Sequence, residues 1–135
     1  MNMGFSVETE SKEGYFQVSF SGDYNLLGAL EGLDHLLKIC GEMKAMKVLV
    51  DVRSLTGAIP SMDRFQFGEA FAVKFFEKKR AGQISHVRFA FLGRHPIIDP
   101  NKFGETVAVN RGMTLKVTTD LKEALDWLLV ESPSE

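Results

Sequence analysis

A chain of 135 residues, 44% hydrophobic and 25% charged, has the size and balance of one globular domain and needs neither a metal nor a disulfide to fold. A net charge of −2 argues against general nucleic-acid binding, which is driven by neutralised phosphates, and one cysteine with three histidines excludes a disulfide framework and a zinc-ligand pattern. No run approaches the roughly 18 apolar residues of a membrane span and no cleavable leader pattern opens the chain, so a cytoplasmic protein without integral membrane association is expected.

In chain order, Phe5 to Thr9 and Tyr15 to Phe20 alternate apolar and polar residues around the polar connector Glu10 to Gly14, which predicts an antiparallel hairpin with one buried face. Asn25 is placed to cap a helix whose stripe is Leu26, Leu30, Leu33, Leu37 and Cys40, with Gly41 at its end. Val48 to Val52 reads as a strand covered on both faces. Ser61 precedes a helix from Met62 to about Arg80, and Val87 to Leu92 reads as a second interior strand. Asp99 before Pro100 predicts a helix start, that helix ending near Arg111 with Gly112 beyond. Met113 to Val117 suits a strand nearer an edge. Asp120 and Glu123 form a capping-box-like pair before Leu121, Leu125, Leu128 and Leu129. Residues 131–135 read as a frayed tail of a single domain spanning 1–135.

The order ββαβαβαβα predicts an α/β fold, a mixed and mostly parallel sheet with an N-terminal antiparallel hairpin and helices on both faces. Together with the segment Val48 to Gly57, with Phe20-Ser21-Gly22-Asp23 before the first helix and with Glu123 to Leu128 near the end, this order resembles the STAS family. It is most similar to the SpoIIAA-like subgroup of anti-anti-sigma-factor-like domains. The resemblance implies a regulatory module that acts by binding protein partners. In anti-anti-sigma members an Asp-Ser-Ser-Gly turn carries a phosphorylated serine. Ser61 falls near that position within Ala58-Ile59-Pro60-Ser61-Met62-Asp63, without the Asp before it or the Ser-Gly after it.

Ligands of open parallel sheets gather outside the carboxyl ends of the strands. If the strands at 48–52 and 87–92 are neighbours, Arg53, Ser61, Arg94 and His95 meet on one rim beside a helix start and form a candidate anion or phosphoserine site. The bland alternative makes Ser61 a helix cap and the arginines solvated loop ends.

The second helix is rich in phenylalanine: Phe65, Ala72 and Phe76 define one stripe, and Phe67, Phe71 and Phe75 another. A wide core, a homodimer contact, or the wall of a small hydrophobic-ligand cavity that includes Phe103 would each account for it. Neither nucleophile–base spacing nor a nucleotide loop is present, so no catalytic residue, metal or cofactor is assigned. The expected function is a non-catalytic interaction module, a homodimer with an unknown protein partner. The alternative is a carrier or sensor of a small lipid-like ligand.

Overall fold

The computed structural model of the protein describes residues 5–99 and 103–130, apart from the side chains of Phe103 and Gly104. Among the described residues nine elements follow one another: β1 (Ser6–Lys12), β2 (Tyr15–Asp23), α1 (Leu26–Glu42), β3 (Lys47–Thr56), α2 (Ser61–Arg80), β4 (Arg88–Leu92), α3 (Phe103–Asn110), β5 (Thr114–Thr118) and α4 (Leu121–Leu129). The strands lie side by side in sequence order, β1-β2-β3-β4-β5. Only the first pair is antiparallel.

The hairpin follows from its alternation and its turn. Lys12 pairs with Tyr15, which leaves a two-residue loop, Glu13-Gly14, shorter than the polar connector suggests. Such loops need positive φ, and Gly14 supplies it at 88°. Val7 then lies opposite Phe20 and Thr9 opposite Val18, with Val18 and Phe20 buried.

Because the strand order is sequential, the three crossovers β2–α1–β3, β3–α2–β4 and β4–α3–β5 all step the same way across the sheet. Crossovers of one hand stepping in one direction put their helices on one face. That face holds the larger core: Val18, Val48, Val50 and Phe89 with Leu33, Leu37, Phe71 and Ala108. The chain then turns back, and α4 covers the opposite face over Leu49, Ala90 and Leu92 with Ala124 and Leu128. Helices thus lie on both faces, three against one.

The stripe of α1 is shifted from the expected one. Asn25 does cap it, accepting from the Gly28 amide at 2.6 Å. Yet Leu26 and Leu30 are only half-buried, while Gly28, Gly32 and Leu36 are enclosed. A Cβ on Gly32 would sit 2.6 Å from the Phe20 ring, and one on Gly28 2.9 Å from the Phe5 ring. The strand rings fill the space that helix side chains would otherwise take. Gly41 likewise does not end α1 with positive φ. It lies inside the last turn against the Gln83 carbonyl, and Lys44 adopts the left-handed conformation instead.

Pro100, expected to open the third helix, lies outside the described residues. At α4, Asp120 accepts from the Lys122 amide at 3.0 Å. Glu123 does not reach back to the Asp120 amide as a capping box requires. It accepts from the Thr118 hydroxyl, whose oxygen accepts from the Asp120 amide at 3.1 Å, so a threonine relays the contact. On the β5 edge Glu105 accepts from the Val117 amide at 2.6 Å, which occupies one open ladder donor.

Candidate functional site

Two features lie at the carboxyl ends of the parallel strands, a charged rim and an apolar cavity. They are separated by an irregularity in β3. Between the pairs Ser19↔Asp51 and Ser21↔Ser54 the register shifts, so β3 carries one extra residue. Strict alternation from Leu49 and Asp51 would put Leu55 on their side of the sheet. After the shift Leu55 instead lines the cavity on the three-helix side.

On the rim, Arg53 is committed to Asp51. Its backbone N–H and Nε donate to Oδ1 at 3.0 Å each, and Nη2 donates to Oδ2 at 2.9 Å. Gln17 Nε2 donates to the same carboxylate at 3.4 Å. Burial acts to raise the Asp51 pKa. The hydrogen bonds from Arg53, with the charges of Arg53 and Arg94, outweigh it and hold the carboxyl below its usual range. Its hydrogen bonds to Asp51 in turn raise the pKa of Arg53.

The other residues expected on this rim are placed differently. Arg94 is exposed and acts on Asp51 through its charge. His95 precedes Pro96 in a cis peptide, and its Nδ1 donates to the Ile98 carbonyl at 2.6 Å. Ser61 is exposed at the first position of α2, where Pro60 is the cap residue and offers no side-chain bond. Ser61 is therefore not the cap that the bland account makes it. The structure joins Arg53 and Arg94 through Asp51, and His95 and Ser61 each stand in other surroundings.

The first turn of α2 organises the rest, through residues that the sequence does not single out. Tyr24 donates its hydroxyl to Asp63 at 3.0 Å, which ties the β2–α1 loop to α2. Burial, then the Asp63 hydrogen bond and charge, raise the pKa of this phenol. Arg64 donates to the Ile97 carbonyl at 2.8 Å and to the Pro96 carbonyl at 2.7 Å, which pins the β4–α3 loop. An acidic residue followed by a basic one in a first helical turn is the available signal, but these patterns are common.

Beneath these ties lies a cavity of about 140 Å³. Phe67, Gly68 and Phe71 line it from α2, and Phe20, Val52, Leu55 and Phe91 from the sheet. Tyr24, Ile59, Ile97 and Ile98 close it from the loops, with Arg64, Asp99 and Glu105 as its charged members. Gly93 makes the roof fit: a Cβ there would lie 2.7 Å from both Ile98 Cγ1 and Val52 Cγ2.

The phenylalanines divide between core and cavity. Phe67, Phe71 and Phe75 form the row facing the sheet, with ring centroids of Phe71 and Phe89 at 4.9 Å and of Phe75 and Phe89 at 5.9 Å. Phe65 and Phe76 turn toward the end of α3. The Arg111 guanidinium lies 5.8 Å from the Phe65 ring centre, and Phe76 lies against Gly112. An apolar circumference on α2 is thus met by packing on two sides. Phe67 and Phe71 also line the cavity, whereas Phe65 and Phe75 do not. Phe103 opens α3, but its side chain lies outside the described residues. Phe71 and Phe75 are enclosed by their own chain, so neither ring is a surface for a second copy. Among the described residues no group of His, Cys, Asp and Glu is arranged to hold a metal ion, and no helix is long and apolar enough to cross a membrane.

Comparison with solved structures places the fold. The chain is similar to an anti-sigma factor antagonist from Mycobacterium paratuberculosis, with 14% identity, 92% of this chain and 93% of that one covered, and a TM-score of 0.55. It is also similar to an uncharacterized protein of the DUF3478 family with a SpoIIAA-like fold from Shewanella loihica, with 18% identity, coverage of 95% and 97%, and a TM-score of 0.50. No protein-family model and no curated protein matches the sequence. The protein has the SpoIIAA-like fold.

Proposed function

We propose that this SpoIIAA-like chain is a non-catalytic regulatory module that binds a protein partner through the segment from Arg53 to Met62. The observation that carries the reading is the end-to-end likeness to an anti-sigma factor antagonist, which covers 92% of this chain and 93% of that one. The exposed start of α2 supports the location, with Ser61 and Met62 facing outward and Pro60 leaving the first turn without a side-chain cap. Dimerisation belongs to the same proposal. It would use the exposed row of Met62 and Val73 on α2 rather than the phenylalanines.

Native mass spectrometry of the chain isolated from its own cells tests this. The expected result is an intact complex with a second protein or a second copy, lost on Met62→Asp without change in thermal stability. A chain that is always a lone monomer, with Ser61 never phosphorylated, overturns the reading.

A second reading is favoured by the cavity, a site for a small hydrophobic ligand. Two of its three charged members are engaged by the protein itself: Arg64 bonds two carbonyls and Glu105 an amide, so most of the lining offers apolar contact. Engineered apolar cavities of about 150 Å³ stay dry and take up benzene or xenon. Xenon or benzene titration followed by methyl resonances of Ile97, Ile98 and Leu55 should shift them, and Leu55→Phe should abolish the shift. Unmoved resonances would remove this reading and leave the first intact.

A further inference from the structure

Cavity and rim occupy the carboxyl ends of the strands, and a different surface forms at the amino ends. There the end of α1 and the start of β3 expose Met43 and Met46, with relative exposures of 52% and 64%, beside Lys44 and Lys47. The loop after α2 leans on the same turn. Gln83 N donates to the Lys78 carbonyl at 2.9 Å, and a Cβ on Gly41 would lie 3.0 Å from the Gln83 oxygen. These contacts put Lys78, Lys79 and Arg80, the last residues of α2, at the same end of the sheet as the methionines. Lys47 Nζ donates to the Leu129 carbonyl at 3.5 Å, which adds the exposed Leu129 and Val130 at the end of α4.

The charge of this surface runs against that of the whole chain. Residues 43–47 and 77–88 contain six cations, Lys44, Lys47, Lys78, Lys79, Arg80 and Arg88, against one anion, Glu77, in a protein of net charge −2. Arg88 is occupied beneath Trp127, 4.1 Å from the ring centre. The other five lie at the same end of the fold, Lys79 with its Nζ 6.0 Å from the Phe76 ring centre. Of the nearby anions, Glu42 faces Lys38 at 4.0 Å and Glu13 sits in the hairpin turn.

We propose that this end docks the protein on an anionic lipid surface, with Met43 and Met46 entering the headgroup region and the five cations facing lipid phosphates. Cations ringing flexible apolar side chains match a bilayer interface, where each charge meets a headgroup and each thioether meets the acyl boundary. A nucleic-acid backbone has the charge but gives the methionines no apolar counterpart. The docking surface shares no residue with the rim or the cavity, so it stands or falls apart from either functional reading.

The test is co-sedimentation of the full chain with phosphatidylcholine vesicles, with and without about one-third phosphatidylserine, at low salt. Binding to the anionic vesicles alone is expected, weakening as salt screens it. At about fivefold per charge, Lys78→Ala with Lys79→Ala and Arg80→Ala should weaken binding by roughly 100-fold. Met43→Ser with Met46→Ser should weaken it severalfold while leaving the salt dependence unchanged. Circular dichroism checks the folding of each variant, and Lys79→Glu alone serves if the triple variant unfolds. The proposal is overturned if anionic vesicles do not bind at low salt or neutral vesicles bind equally. It is also overturned if the methionine variant binds as wild type and duplex DNA competes as well as the vesicles do.

Discussion

On one face of the sheet Val18, Val48, Val50 and Phe89 are sealed beneath three helices, whereas on the other Leu49, Ala90 and Leu92 lie under α4 alone, beside the polar Gln17, Ser19, Asp51 and Arg53. The difference is a matter of chain direction. Sequential parallel strands stack every crossover on one side, and the far side receives only the helix that comes after the last strand. The broad face therefore carries the aromatic core and most of the stability. The far face has room for charge, because a half-covered sheet leaves the Asp51–Arg53 pair in contact with water, at side-chain exposures of 13% and 37%.

The largest effect should fall on the broad face. Phe71→Ala removes a ring packed against Phe67, Phe89 and Phe91 and should cost about 3–5 kcal/mol in urea unfolding. Leu128→Ala, in the small core under α4, should cost about 2–3 kcal/mol, since that end can relax toward solvent. Equal losses would break the comparison.

Alkaline pH sharpens it. Burial pushes the Cys40 thiol up to about 12, from 9.0. The native state therefore keeps a proton that the unfolded chain releases above about pH 9. Stability should fall from there by up to about 1.4 kcal/mol per pH unit, with the half-buried Tyr24 phenol adding to the fall at higher pH. Cys40→Ala should flatten the first part of that fall in urea titrations, and the native thiol should resist thiol reagents.

The smallest effect should come from the far face. Asp51→Asn should cost about 1 kcal/mol or less, because the pair it breaks is partly solvated. The Asp51 pKa is lowered on folding. Its contribution is present above the unfolded value near 3.8 and is lost as pH falls through the folded one, so the variant should be less sensitive to acid.

Most elements are legible in the sequence, because their signals are local. Alternation marks the hairpin, Asn25 and Asp120 mark two helix starts, and the phenylalanine count marks α2 as a helix packed on more than one side. Sequence and structure part where a partner distant in the chain decides the outcome. The shifted stripe of α1 depends on Phe5 and Phe20 filling the places of Gly28 and Gly32, and a hydrophobic pattern gives glycine no weight. The cavity depends on one extra residue in β3 and on a loop, Ile97-Ile98, without periodicity. Arg53 reads as available for an anion only while its neighbour two positions back counts as nothing but a strand residue. In a strand, i and i+2 share a face, and Asp51 claims the guanidinium first.

The position of α4 also bears on the order in which the chain folds. It is the last described element and, among the described residues, the sole cover of the far face. A folding chain can assemble the sheet with its three helices before α4 docks. It then presents Leu49, Ala90 and Leu92 as a bare strip until Leu121 to Leu129 settle over them. That interval is when the protein is most exposed to sticking to its neighbours. The polar residues beside the strip, Gln17, Ser19 and Asp51, keep the sticky area narrow while it lasts.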